Sequence, residues 1–128
     1  RLIPVIGRGG PPLPTLPYIA YPSEVFLGQV MQRRILPFLE DGILAISKAE
    51  TALTLAAIEM AESGLAVAWI PESLAKARIA EGRLIDLSSS LPSCGLTITA
   101  VRLSSGAHPV LEEAWQQIVS RKSLEFTK

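Results

Sequence analysis

Two short polar clusters could do chemistry in this chain, and both stand at predicted junctions between a strand and a helix. Ser47 and Lys48 follow the apolar residues 43–46, and Ser23 follows the strand-like residues 18–21. The first turn of a helix attracts anions because its backbone N–H groups are free and its dipole is positive there. The clusters therefore predict a site for an anionic group. The alternative is that both serines only cap helices and Lys48 is solvated.

No arrangement of residues in the sequence indicates catalysis. The single histidine, His108, precedes Pro109 at a predicted helix start, which is typical of a surface position. The glycine-rich residues 7–10 lack the pattern of a phosphate-binding or dinucleotide-binding loop, and prolines follow them. Histidine and cysteine residues show no zinc-ligand spacing. We therefore expect a protein that is not an enzyme and holds no metal or cofactor.

Three sulfur-containing side chains could instead sense oxidants. Cys94 is the single cysteine, so an internal disulfide is excluded, and a reducing cytoplasmic setting is expected. Met31 and Met60 lie on predicted helix faces, where methionine usually fills the core. Packing is the simpler interpretation of these side chains, and redox sensing is the alternative.

The order of predicted elements determines where these residues would lie. Alternating patterns predict strands at residues 2–6, 18–21, 43–46, 65–70, 84–87 and 96–103, and helices at residues 23–36, 51–63, 72–80 and 109–119. Pro4 makes the first strand an edge strand or a connection. Ser47 and Glu50 have capping-box spacing at the start of the second helix. The alternation predicts an α/β domain with a largely parallel sheet, which binds ligands at the carboxyl ends of its strands.

Composition narrows the class of protein further. The 128 residues are 48% hydrophobic, which fits one globular domain or a large piece of one. The 12 basic residues balance the 12 acidic ones, so a nucleic-acid contact would need other sequence. No apolar run is long enough to span a membrane, and residues 1–10 do not form a signal peptide. We expect a cytoplasmic piece of a longer protein, because the chain begins at Arg1.

Several stretches, taken in order, resemble the effector-binding domain of LysR-type transcriptional regulators. Residues 56–74 are similar to a core of that family: a helix, a small-Gly-Leu turn, an apolar strand, a proline and a second helix. Residues 82–87, GRLIDL, resemble the family's Gly-Arg-Leu-Val-x-Leu strand. Residues 17–21 resemble the strand that opens the second subdomain, and residues 108–110 resemble the start of the closing helix.

Within the family, the stretch LAVAWIPE and the aromatic residue of the closing helix are similar to the hypochlorite-responsive branch. Sensing in that branch is attributed to methionine oxidation. Here the residues after Ser47 and Lys48 are Ala49, Glu50 and Thr51, without a methionine. The resemblance to the branch therefore does not extend to its sensing mechanism.

The resemblance implies a type 2 periplasmic-binding-protein-like fold, with two Rossmann-like subdomains and a ligand cleft between them. Residues 1–13 would be the crossover strand and a Gly/Pro linker, and residues 14–91 the complete second subdomain. Residues 92–120 would be the return strand and closing helix of the first subdomain, and residues 121–128 a flexible tail. The winged helix-turn-helix and the front half of the first subdomain would lie outside this sequence.

The resemblance also implies a function. The ligand-binding residues in this half of the cleft would be Tyr21, Ser23, Ser47, Lys48 and Thr51. Their ligand would be a small-molecule effector, anionic if Lys48 meets it. Family members form dimers and tetramers and contact DNA through the N-terminal domain that is absent here. Effector binding would shift the angle between subdomains and so the geometry of the oligomer on DNA.

Other classes of protein share parts of this pattern. A solute-binding protein of a transporter has the same fold class, and a signal peptide upstream would indicate it. A redox-sensing regulator domain would need no small-molecule ligand. An enzyme with its catalytic groups elsewhere is the third alternative. A helix-turn-helix upstream would instead indicate a regulator.

Overall fold

The computed structural model describes residues 1–11, 14–103 and 108–125, with the backbone alone for residues 121–125. The chain divides into two compact units, Arg1–Leu96 and Thr97–Lys128. None of the helices in these ranges is long and apolar enough to cross a membrane.

The described residues of the first unit form five strands and three α-helices, which alternate along most of their length. The strands are β1 (Leu2–Ile6), β2 (Thr15–Ala20), β3 (Leu44–Glu50), β4 (Ala68–Pro71) and β5 (Ile85–Asp86). The α-helices are α1 (Phe26–Val30), α2 (Thr54–Glu62) and α3 (Glu72–Ala80). A π-helical turn, Met31–Ile35, and a 3-10 turn, Leu36–Phe38, follow α1 directly.

Backbone pairing connects the five strands in the order β3-β2-β4-β1-β5. Strands β2 and β3 are parallel, and β1 lies antiparallel between β4 and β5. A parallel bridge between Tyr18 and Val67 joins β2 to the residues just before β4, with Ile19 N–H donating to the Val67 carbonyl at 2.8 Å. Four strands therefore run in one direction and β1 in the other, which confirms the predicted α/β fold.

Strand β1 was predicted to be an edge strand or a connection, and this was wrong. All five of its residues are buried, and it has neighbours on both sides. Pro4 is tolerated there because its missing N–H faces β5. Its carbonyl, which points to the same side, accepts a hydrogen bond from Leu87 N–H at 2.9 Å, and the ladder with β5 contains only two residue pairs. The central strand thus loses no bond to β4.

Trp69 lies fully buried in the middle of the core, and its indole is held on two sides. Its Nε1–H donates to the carbonyl of Pro92 at 2.8 Å, and the Tyr18 ring meets it edge-on at a centroid distance of 6.4 Å. Trp69 belongs to one buried apolar cluster formed by the strands, α2 and the connections between them, whose members include Ile3, Val5, Ile19, Ala57, Ile58 and Val67. The one polar group of the buried indole therefore has its hydrogen-bond partner.

The second unit differs from its prediction. Residues 97–103 form no strand in the described structure, and Ile98 and Val101 are 96% and 86% exposed. The predicted strand at residues 96–103 is absent because a strand needs a ladder partner, and the described residues of this unit supply none. Helix α4, Pro109–Glu125, continues past the predicted end near Val119.

Helix α4 is anchored to the residues before it by one arginine. Arg102 forms an ion pair with Glu112, and its guanidinium lies 5.0 Å from the centre of the Trp115 ring. Hydrogen bonds from Gln116 and then from Arg102 lower the pKa of Glu112. The apolar residues Val110, Leu111, Ile118 and Val119 of this helix are exposed in this unit.

Candidate ligand-binding site

A cavity of about 250 Å³ opens at the carboxyl ends of β2 and β3. The two strands and the segment from α1 to the 3-10 turn contribute its walls. The lining residues are Tyr18, Ala20, Tyr21, Ser23, Gly28, Met31, Gln32, Leu36, Ser47 and Glu50. Its position matches the edge at which parallel α/β sheets bind ligands.

A β-bulge in β3 decides which residues of this strand face the cavity. Ser47 pairs with Tyr18, and Glu50 pairs with Ala20, while Lys48 is an extra residue between two pairs. Tyr18 and Ala20 lie on one face of β2, since side chains alternate along a strand. Their partners Ser47 and Glu50 share that face although they are three positions apart, so both line the cavity. Bulges commonly re-aim side chains near functional sites.

The start predicted for the second helix, with its capping box at Ser47 and Glu50, is wrong. Ser47 and Lys48 lie inside β3, and α2 begins at Thr54 with Leu53 as its N-cap residue. Strand pairing with β2 outcompetes the local capping box, because the ladder continues as far as Glu50. The anion attraction expected from a helix start at Ser47 is therefore absent.

The residue after β3, Thr51, forms the connection to α2. Its N–H donates to the Ala20 carbonyl at 3.0 Å, and its Oγ1 accepts a hydrogen bond from Leu53 N–H at 3.1 Å. Neither Thr51 nor the exposed Lys48 is among the residues that line the cavity. Three of the five predicted ligand-binding residues, namely Tyr21, Ser23 and Ser47, are brought together there.

Ser23 lines the cavity but does not cap α1 as predicted. The N-cap residue is Val25, whose side chain makes no capping bond and whose N–H donates to the Pro22 carbonyl at 3.1 Å. The helix approaches this loop closely at Gly28, where an added Cβ would lie 1.9 Å from the Pro22 carbonyl oxygen. Ser23 is thus left exposed at the mouth of the cavity.

The π-helical turn after α1 supplies two residues of the opposite wall. Met31 is buried and Gln32 is exposed, and both line the cavity. The turn stands just before Pro37, which has no N–H to continue the α-helical ladder. The N–H of Leu36 instead bonds to the Met31 carbonyl, five residues back. Such turns often occur at functional sites.

Tyr21 has its ring in the cavity wall and its hydroxyl in the core. The hydroxyl donates to the Trp69 carbonyl at 3.0 Å. Burial raises the pKa of Tyr21 to about 12, against a smaller lowering by a hydrogen bond with Thr54. The hydroxyl is therefore occupied by its hydrogen bond within the core, and a ligand would contact the ring.

Glu50 and Gln32 are polar lining residues that the sequence interpretation missed. Glu50 had been assigned to a capping box, and no sequence signal marks the bulge that turns it into the cavity. Glu50 is the only charged residue of the lining. No group of three or more His, Cys, Asp or Glu side chains in the described ranges is placed to hold a metal.

The redox candidates occupy structural positions. Met31 is 2% exposed within the core cluster, and Met60 packs against that cluster. Cys94 is half-buried and unpaired as a thiol, and its backbone exchanges hydrogen bonds with Leu2 at 2.7 and 3.1 Å. It therefore extends the pairing of β1 beyond β5.

Comparison of the fold with solved structures gives consistent matches to transcriptional regulators. One is the crystal structure of a LysR family transcriptional regulator, at a TM-score of 0.59 and 28% identity over 68% of this chain and 28% of that chain. Another is the bromide-bound regulatory domain of HypT from Salmonella typhimurium, at 0.71 and 19% identity over 96% and 61% of the two chains. DarR from Vibrio fischeri, in complex with DNA, matches at 0.67 and 15% identity over 90% and 40%.

This chain spans less than two thirds of the length of each of these structures. Its sequence matches no protein-family profile and no curated protein. The matches to HypT agree with the similarity to the hypochlorite-responsive branch and, at their level of identity, show a common fold. The chain therefore has the type 2 periplasmic-binding-protein-like fold of the effector-binding domain of LysR-type transcriptional regulators, which confirms the resemblance seen in its sequence.

Proposed function

We propose that this chain is the effector-sensing part of a LysR-type, DNA-binding transcription factor and that its cavity forms one wall of the effector cleft. The observation that carries the proposal is a cavity with polar lining at the carboxyl ends of two parallel strands, in a fold of this type. The proposed role is regulatory and not catalytic. Residues 14–91 would be the second regulatory subdomain, with residues 92–120 belonging to the first.

The effector contacts proposed from this wall come from Ser23 and Ser47 hydroxyls and from the face of the Tyr21 ring. Lys48 and Thr51 would contribute from outside the cavity lining. We also propose that an anionic group of the effector would meet Lys48, which is exposed and outside the lining, so this group would lie outside the cavity. The HypT regulatory domain, which was solved bound to bromide, supports it by analogy.

Effector binding would act on DNA by population shift. A ligand that binds one arrangement of subdomains more tightly favours that arrangement by its difference in affinity. In a cytoplasmic homodimer or homotetramer, the change would alter the spacing of DNA-binding domains that lie outside this sequence. DarR, solved in complex with DNA, is the comparison that supports a DNA partner.

The test is an effector screen on the full-length protein bound to its own promoter DNA. Thermal stability and DNA footprint would be measured for the wild type, for Ser47→Leu, which fills the cavity, and for Ser73→Leu as a matched control. Ser73 is exposed on α3, outside the cavity. We expect an effector to stabilise the wild type and the control and to change their footprints, with Ser47→Leu unresponsive.

Three results would count against the proposal. A Ser47→Leu variant that responds like the wild type would place the effector site elsewhere. A response to oxidants alone, unchanged by Ser47→Leu, would favour a redox-sensing domain instead. A signal peptide encoded upstream in place of a helix-turn-helix would indicate a transporter component.

A further inference from the structure

We propose that the effector presents a hydrogen-bond donor, in its preferred form an ammonium group, to the Glu50 carboxylate inside the cavity. This inference rests on the proposed function, because it specifies the chemistry of the same cleft. It differs from the expectation of an anionic effector, which the sequence around Lys48 suggested.

The position of Glu50 is the first step. Its backbone is paired with Ala20 at the end of β3, and the bulge at Lys48 turns its side chain to the cavity face. Across the described part of the chain, no side chain forms a hydrogen bond or an ion pair with its carboxylate. Glu62, by contrast, is paired with Arg78. Glu50 therefore has acceptor capacity free for a ligand.

The charges around the cavity are the second step. None of its lining residues is a lysine or an arginine. Arg33 and Arg34 adjoin Gln32 in sequence without lining the cavity, and Arg34 donates to the Gly95 carbonyl at 3.0 Å. Lys48 is the bulge residue and is equally outside the lining. An anionic group in this cavity would face a like charge, whereas an ammonium group would be attracted.

The remaining lining residues and the cavity volume determine how large the ligand can be and how apolar. The volume of about 250 Å³ lies just below the range usual for drug-sized ligands, so a small molecule fits. Tyr18, Met31 and Leu36 offer an apolar surface, and the Ser23 hydroxyl and Gln32 amide offer further hydrogen bonds. The arrangement suits a small amine with a short apolar body.

Three probes that share one apolar body separate the possibilities: 2-phenylethylamine, 2-phenylethanol and phenylacetate. Their affinities would be measured by calorimetry on the full-length protein for the wild type, Glu50→Gln and Lys48→Gln. We expect the amine to bind most tightly. Glu50→Gln should weaken the amine about tenfold, which corresponds to ~1.4 kcal/mol, and leave the alcohol unchanged. Glu40→Gln, measured alongside, is the matched control: it makes the same substitution at an exposed glutamate outside the lining and should leave the amine unaffected.

The outcomes distinguish this inference from the proposed function. Tighter binding of phenylacetate than of the amine, lost in Lys48→Gln, would overturn the inference and leave the effector cleft intact. Amine binding that is insensitive to Glu50→Gln would overturn it in the same way. Binding of no probe, or binding that persists in Ser47→Leu, would count against the cavity itself and so against both.

Discussion

Replacing Tyr21 by phenylalanine tests the hydrogen bond between the Tyr21 hydroxyl and the Trp69 carbonyl, at the edge of the sheet beside the cavity. Trp69 pairs with Pro4 across β4 and β1, and the Pro4 carbonyl is bonded to Leu87 on the other side. The pair therefore exchanges no hydrogen bonds, and the Trp69 carbonyl faces β2. The pairing between β2 and β4 ends before this point, and the Tyr21 hydroxyl replaces the missing ladder donor at 3.0 Å.

The size of the effect follows from the buried position. Tyr21→Phe removes a hydrogen bond with a net value of about 1 kcal/mol and leaves a buried carbonyl without its donor, which costs about 1–3 kcal/mol. We expect the free energy of unfolding to fall by about 2 kcal/mol at neutral pH. The shape of the ring is retained, so little of this change comes from packing.

The pH dependence gives a second signature. The pKa of Tyr21 is raised to about 12 in the folded protein, above the ordinary value of 10.0. Stability from this group is therefore complete below pH 10 and is lost as the pH rises toward 12. The slope is ~1.4 kcal/mol per pH unit, from the free energy of one pKa unit. Tyr21→Phe should lack this component, so the two proteins should converge in stability above pH 10.

The assay is urea unfolding from pH 7 to pH 12, with tyrosinate absorbance followed in the native state. Tyr18→Phe is the matched control, because it keeps the edge-on contact with Trp69 and its hydroxyl makes no hydrogen bond in the described structure. We expect Tyr18→Phe to remain close to the wild type in stability. Parallel pH profiles of the wild type and Tyr21→Phe, or equal losses in both variants, would refute the reasoning.

Two further predictions concern the frame around the site. Gly28→Ala places a Cβ 1.9 Å from the Pro22 carbonyl oxygen, so α1 must shift. We expect the free energy of unfolding, measured with urea, to fall by about 1–3 kcal/mol. Effector binding should weaken as well, because α1 contributes to the cavity wall. Glu62→Gln removes the half-buried partner of Arg78, and we expect it to lower the free energy of unfolding by about 1 kcal/mol and with it the melting temperature. The loss should be smaller in high salt, because salt screens the ion pair in the wild type. Glu81→Gln, at a more exposed pair, is the control and should leave the melting temperature unchanged.

Much of the framework could be predicted from local patterns. Helix α3 was predicted with its observed bounds, because Pro71 starts it and Gly82 follows its end. Gly42 and Gly64 both have a positive φ, which glycine adopts easily, so local chemistry also accounts for the chain reversals there. These features depend on a few adjacent residues, and the alternation of strands and helices follows from them.

The candidate site was predicted only in part, because its geometry depends on strand pairing. Ser23 and Ser47 were selected for capping helices, and they line the cavity for a different reason. The capping-box spacing of Ser47 and Glu50 assigned Glu50 to a helix start, so its position in the cavity was missed. The energy of extending a ladder with β2 exceeded that of one local side-chain bond, so the helix started later and a bulge appeared at Lys48.

By itself the sequence determined the α/β class, because this depends on the period of the apolar residues, and it carried the family resemblance, because the motifs behind it are short stretches of adjacent residues. Only the tertiary structure decided that β1 lies in the centre of the sheet, that Tyr21 serves the Trp69 carbonyl, and that Glu50 and not Lys48 faces the cavity. Each of these outcomes depends on a partner strand distant in sequence, and the choice between local and long-range hydrogen bonds is made only when that partner is in place.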